Sequence, residues 1–193
     1  MNMNQSKYWN KYYANTKNSP RKLLVKSLKY PHKNNHALDL GAGNLRDTAY
    51  LLKKKFKNID AVDKQKKMRV FAKKFDESRI TVFIMPFEKF EFQKKYDIIN
   101  AQYALPFMKK SDFIKTFSKI KKSLNKSGII TGQFFGVHDT WKNNKNMTFV
   151  NIKQARRLLQ DLKILYFFEE EKDGSTALGQ NKHWHVFHFI AKK

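Results

Sequence analysis

Cysteine is absent from the 193-residue sequence. That absence excludes a disulfide framework, thiolate metal sites and cysteine nucleophiles together. Long apolar runs are missing too. No stretch approaches the roughly 18 uninterrupted apolar residues of a membrane-spanning helix, and residues 1–11 lack the apolar run of a secretory signal. A cytoplasmic enzyme with no membrane association is expected. Acidic residues are scarce: 16 Asp and Glu face 40 Lys and Arg, for a net charge of +24. Such an excess admits RNA as a partner, because lysine and arginine bind phosphates and release counterions. Its distribution favours a generic solvated surface. Lys53, Lys54, Lys55 and Lys57 fall at the end of an expected helix, where cations complement the dipole, and Lys64, Lys66, Lys67, Arg69, Lys119, Lys121, Lys122 and Lys126 occupy solvated helical positions. With 41% hydrophobic residues, one domain over 1–193 is expected, with a helical cap at 1–35 and a core at 36–193.

The chain is organised around Ala37-Leu38-Asp39-Leu40-Gly41-Ala42-Gly43-Asn44. A short apolar run stops at an acid and two glycines, and a helix-forming segment follows. Glycine permits positive φ and close approach of a ligand to the main chain, while the helix start offers unpaired N–H groups and partial positive charge. A dinucleotide turn would need a third glycine where Arg46 stands, and no P-loop continuation follows Gly41. What remains is acid-x-Gly-x-Gly. Here the sequence resembles the class I S-adenosylmethionine-dependent methyltransferases, whose first motif has this form, met by Asp39, Gly41 and Gly43. A GxG turn of this kind is also compatible with a plain tight strand–helix connection, so the segments that follow carry the argument.

Asp63 ends a short strand at 59–62, 20 residues beyond Gly43. A parallel neighbour strand would bring its carboxylate beside the first turn, where it could accept both ribose hydroxyls; it could also cap the helix expected at 65–75. A third strand is expected at 80–85. The resemblance implies adenine contacts from the residues after it, Phe87 and Glu88, although many members carry the acid one or two positions earlier. Residues 96–107 look like the family's fourth motif, which implies that Asn100, Ala101 and Tyr103 lie at the strand edge beside the methyl donor. The segment lacks the (Asp/Asn)-Pro-Pro-aromatic pattern of methyltransferases that act on base amino groups, which argues against a flipped-base substrate.

Elsewhere the expectations are coarser. Tyr8, Trp9, Tyr12 and Tyr13 mark one face of a short helix, read as a packing stripe or as a lid over a cationic ligand. Ser19-Pro20 resembles a helix start. Helices are expected at 46–56, from a cap at Ser111-Asp112 to Leu124, and at 151–162. A fifth strand spans 128–136. His138 and Asp139 follow it and are candidates for proton handling; the Asp139–Trp141 stretch also looks like small methyltransferases of the tellurite-resistance type. Strands at 163–170 and 183–191, joined by a turn at 172–175, must pair antiparallel if they pair directly. His183 and His185 share one strand face while His188 takes the other; with no acid or cysteine beside them in sequence, no metal is expected.

The fold implied is a Rossmann-like three-layer αβα sandwich, with a mostly parallel seven-stranded sheet finished by a C-terminal antiparallel hairpin. The implied cofactor is S-adenosylmethionine, with S-adenosylhomocysteine as product. The expected acceptor is a small molecule; an RNA- or protein-directed methyltransferase is the alternative that the charge raises, and a non-catalytic binding module is the third. If the acceptor needs a general base, His138 comes first and Tyr103 second.

Overall fold

The computed structural model describes residues 19–75 and 78–193; the aromatic cluster at Tyr8, Trp9, Tyr12 and Tyr13 lies outside them. Short runs rich in apolar and β-branched residues, buried on both faces, form the central strands. β1 (His36–Leu40), β2 (Asn58–Asp63), β3 (Ile80–Ile84), β4 (Tyr96–Ala101) and β5 (Leu124–Gly136) pair in parallel. β7 (Lys163–Ser175) and β8 (Asn181–Lys192) form the antiparallel hairpin, β8 also pairing with β5, so the order is β3-β2-β1-β4-β5-β8-β7. A further strand, β6 (Phe149–Val150), pairs with Phe135 and Gly136 of β5. The sheet therefore has eight strands where seven are expected, because two residues are too few to show a periodicity.

Alternation sends successive side chains to opposite layers. Ala37, Ile59, Ile98 and Ile129 face α1 (Lys22–Ser27) and α2 (Arg46–Lys53), meeting Leu23, Leu24 and Leu51. Their neighbours Leu38, Ile99 and Ile130 face α4 (Lys110–Ser123) and α5 (Ile152–Leu158), meeting Phe113, Phe117, Ile120 and Ala155. The short α3 (Met68–Ala72) adds Met68 against Ala61 and Ile80.

Several element ends differ from the expected ones for local reasons. α1 begins after Arg21, not at Pro20, because the Arg21 N–H donates to Asp47 at 2.9 Å and docks the chain there. α3 is much shorter than 65–75, since Asp63 captures the Gln65 N–H and a turn occupies 65–67. α4 starts at Lys110, which leaves Ser111 and Asp112 inside its first turn, where an acid complements the dipole. The hairpin turn falls at 176–180, not 172–175: the Thr176 hydroxyl accepts the N–H groups of Leu178 and Gln180, and Gly179 takes φ +81°. The segment 172–175 instead continues β7, with Asp173 opposite His183.

Asp97, at the start of β4, ties three strand starts. One carboxylate oxygen accepts the N–H groups of Asn35 and His36, and the other accepts from the Asn125 amide at 2.7 Å. Losing a buried charged acceptor strands its donors, at ~1–3 kcal/mol for each group left unsatisfied. Asp97→Ala is therefore expected to lower stability by about 2–4 kcal/mol, read as a drop in the urea midpoint; an unchanged midpoint would refute this account of the strand starts.

Candidate active site

The strand order reverses between β1 and β4, the place where open α/β sheets leave a crevice at their carboxyl ends. The glycine turn lies at this edge. Gly41 has φ +75° and donates its N–H to Val62 O at 2.8 Å; a Cβ there would come within 2.9 Å of the Ala104 Cβ. The Gly43 N–H donates to one Asp63 oxygen at 3.0 Å and the Gln65 N–H to the other at 2.9 Å. Asp63 thus joins the tips of β1 and β2.

Beneath the turn runs a buried polar layer. Asp39 accepts from the Thr48 hydroxyl at 2.6 Å and from the Asn100 amide at 2.8 Å. Asp47 accepts from Arg21 Nη1 at 3.0 Å. Burial, with the Asp47 charge adding to it, pushes the Asp39 carboxyl up to about 6, against the pull of its hydrogen bonds from Thr48 and Asn100. Two buried polar atoms have no protein partner among the described residues: Asn100 Oδ1 in this layer and Gln65 Nε2 beside Asp63. Unpaired buried groups at one strand edge suit a polar ligand that supplies the missing bonds.

A cavity of about 830 Å³ opens over the turn, with Gly41, Asp63, Gln65, Phe87 and Glu88 along one part of its wall and Tyr103, Phe107, Phe135, Trp141 and Trp184 along another. Of the residues singled out from sequence, Gly41, Asp63, Phe87, Glu88 and Tyr103 line it. Asp39, Gly43, Asn100 and Ala101 are not among its lining; Asp39 and Asn100 form the layer below, Gly43 bonds Asp63, and the edge of β4 presents Gln102, Tyr103 and Ala104 instead. His138 is not among the lining either. Its ring stacks on His185, with centroids 4.7 Å apart, and pairs with Glu171 on the outer face of the hairpin.

Tyr103 has φ +51°, strained for a residue with a Cβ. Its N–H donates to Gln133 Oε1 at 2.8 Å, and Gln133 donates in turn to Gln102 Oε1 at 2.8 Å, so a buried amide pair fixes the tyrosine. The aromatic part of the wall is built edge to face: Trp141 and Trp184 lie 5.8 Å apart, and Phe135 lies 6.0 Å from Trp184. Behind them Lys182 is buried and ion-paired with buried Asp139, its ammonium 4.2 Å from the Trp141 ring centre and 4.3 Å from that of Trp184. Burial pulls Lys182 below the usual lysine range, opposed by Asp139. Glu170 also lines the cavity; a hydrogen bond from Lys172 above all keeps its carboxyl below the usual range. His188 pairs with Glu170 at 3.3 Å and lies ring-edge to Tyr103, and burial lowers its pKa. Gln65, Glu170, Lys182 and His188 are missed as site residues from sequence, because strand pairing and turns far apart in the chain bring them here.

The raised Asp39 pKa has a consequence with a definite sign. The folded state holds this proton more tightly than the unfolded chain does, so stability falls as pH rises from about 4 to about 6 and stays reduced above. Asp39→Asn is expected to remove that slope and to raise the ligand-free stability at pH 7, measured by urea unfolding across pH; a wild-type slope in the variant would refute the assignment.

The sequence matches the model of the family described as AdoMet dependent proline di-methyltransferase over residues 13–163. It is 37% identical over 101 residues to alpha N-terminal protein methyltransferase 1 of Dictyostelium discoideum; the match covers 50% of this chain and only 37% of that relative's length. Among solved structures, TehB from Haemophilus influenzae superposes with a TM-score of 0.74 at 16% identity, over 88% of this chain and 61% of that one. The 1,6-didemethyltoxoflavin-N1-methyltransferase of Burkholderia thailandensis, solved with 1,6-didemethyltoxoflavin and S-adenosylhomocysteine, gives 0.61 at 18% identity, over 88% of this chain and 74% of that one. Both likenesses are of fold. The family match extends from before the glycine turn to the start of the hairpin, and by it the chain belongs to the AdoMet dependent proline di-methyltransferase family.

Proposed function

We propose that this protein is an S-adenosylmethionine-dependent methyltransferase that methylates an amine nitrogen. One observation carries the reading: a single cavity joins the glycine turn and Asp63 to an aromatic chamber whose wall includes the carboxylate of Glu170, paired with Lys172. When bound, S-adenosylmethionine supplies an electrophilic sulfonium methyl group. Asp63, oriented by the Gly43 and Gln65 N–H groups, would face the ribose hydroxyls as their carboxylate acceptor. Gln65 Nε2 would donate beside it, and Phe87 and Glu88 would hold the adenine. Asn100, in the layer beneath, would act on the site through Asp39, which its amide holds.

The chamber residues treat the acceptor as a cation that must become neutral. Aromatic faces attract an ammonium group, Glu170 supplies the opposing charge, and the rings of Trp141 and Trp184 exclude water. His188, neutral at physiological pH because burial lowers its pKa, takes the proton through Glu170. Tyr103, held by Gln133, orients the nitrogen for in-line attack. His138 has no part in this reading, since it faces away from the cavity.

A small-molecule amine is the first acceptor class, supported by a concave chamber whose wall includes residues 175–177 of the hairpin. The α-amine of a protein N-terminus is the second, favoured by the names of the matched family and of the Dictyostelium relative. Both present a nitrogen to the same wall. Incubation with methyl-labelled donor separates them: label in the small-molecule fraction of a cell extract supports the first, and label on an N-terminal proline peptide supports the second. Label on neither would overturn the proposal.

Two variants probe the two parts of the cavity. Asp63→Ala is expected to weaken S-adenosylhomocysteine binding about 10- to 100-fold by calorimetry, in line with the loss of charged hydrogen bonds. Gln65→Ala should weaken it less without loosening the turn. Glu170→Gln is expected to raise the KM for the amine about 10-fold while leaving S-adenosylhomocysteine affinity unchanged; an equal loss of both would refute the division of the cavity.

A further inference from the structure

The hairpin carries a second cluster on the face opposite the cavity, and the proposed methyl transfer does not use it. Cross-strand register sets Glu171 opposite His185 and Asp173 opposite His183, so two acids and two histidines share one strand face. His138 arrives from the end of β5. Glu171 Oε2 lies 3.2 Å from His138 Nδ1, and Glu171 Oε1 lies 3.1 Å from His183 Nε2. One ligand atom each from His138, Glu171 and His185 falls within 4.8 Å of the others.

From this juxtaposition we infer that His138, Glu171 and His185 form a binding site for a divalent transition metal of the zinc class. Two imidazoles and a carboxylate are the donors zinc accepts, commonly as three protein ligands with a fourth position open. Metal-ligating histidines are held by a carboxylate at the far nitrogen, and that support is already built. Glu169 pairs with His185 Nε2 at 2.9 Å, leaving the Nδ1 lone pair on the His138 side; there it accepts the His138 N–H at 3.1 Å, a bond that the metal would replace. Asp173 pairs with His183 Nδ1 at 2.8 Å, leaving Nε2 toward Glu171, so His183 stands next to the open position. Tetrahedral coordination at ~2.0–2.2 Å needs ligand atoms closer than they now lie. The two that must close in, His138 and Glu171, are exposed and free of core packing, while His185 is buried and fixed.

The ion would also act on the cavity wall. His185 follows Trp184, Glu171 follows Glu170, and His138 stands three residues before Trp141, so each ligand is tied along the backbone to a residue on the other face. An ion joining the three would brace the end of β5 against the hairpin.

The test is titration of the untagged, metal-stripped chain with zinc chloride by calorimetry and with cobalt chloride by visible d–d absorption. One equivalent is expected to bind at micromolar concentration or below, with a tetrahedral cobalt spectrum and a rise in Tm. His138→Ala and Glu171→Gln should each weaken binding at least about 10-fold and abolish the Tm rise, whereas His32→Ala should leave both as in the wild type. Absence of binding up to about millimolar metal, or unchanged affinity in the Glu171→Gln variant, would overturn the site. None of these readouts depends on methyl transfer, so failure here leaves the proposed activity standing, and failure of that activity leaves the metal site standing.

Discussion

The Asp63 carboxylate is the tie on which the rest of the site depends. Its two oxygens accept the Gly43 and Gln65 N–H groups, one from the turn after β1 and one from its own turn after β2. Two parallel strands need no contact at their tips to pair along their length. Here the tips are joined, and the glycine turn gains a fixed position relative to β2. Because Gly41 also donates to Val62 O, the turn hangs from β2 at two points. A carboxylate bound in this way is already desolvated and oriented, which is the preorganisation that the proposed ribose contact calls for.

At the other end of the cavity the same economy takes a different form. Burying the Lys182–Asp139 pair forfeits the hydration of two ions, a cost of several kcal/mol per ion that Coulomb attraction alone need not return. Lys182 recovers more than its partner offers, because its ammonium also sits against the faces of Trp141 and Trp184. Asp139 meanwhile accepts the Trp141 N–H at 2.9 Å, holding the loop that carries that ring. The pair is thus less a source of stability than a device that sets the position of two indoles. An apolar pair of equal volume could fill the space without fixing either ring. Gly136 belongs to the same arrangement: a Cβ there would lie 2.2 Å from the His185 ring, so the strand must be bare where the hairpin crosses it.

What the sequence made legible follows the range of the interactions involved. The glycine turn, the acid 20 residues beyond it and the short apolar strands are local patterns, and the fold and the glycine-turn end of the cavity follow from them. The aromatic end was legible only as separate residues. Phe135, Trp141 and Trp184 meet through the pairing of β5 with β8, whose register cannot be read from composition. The same limit explains His138. A histidine after a strand at the carboxyl edge reads as a proton carrier, but the chain turns at Val137 and His138, and the ring goes to the opposite face, against His185. For the histidines of β8 the sequence shows no neighbouring acid; register provides Glu169, Glu171 and Asp173 from a strand ten or more residues away.

The placement of acids also changes what the net charge means. Among the described residues, Asp39, Asp47, Asp60, Asp63, Asp97 and Asp139 are buried, while Glu169, Glu170, Glu171 and Asp173 crowd one strand. Ten of the sixteen acids are therefore committed to interior ties or to the hairpin. Outside the hairpin, the described surface therefore carries few carboxylates among its lysines. Such a surface attracts polyanions in a salt-dependent way whatever the cavity does. Affinity for RNA would therefore say little about the acceptor proposed for the aromatic chamber, where Glu170 is held between Lys172 and His188.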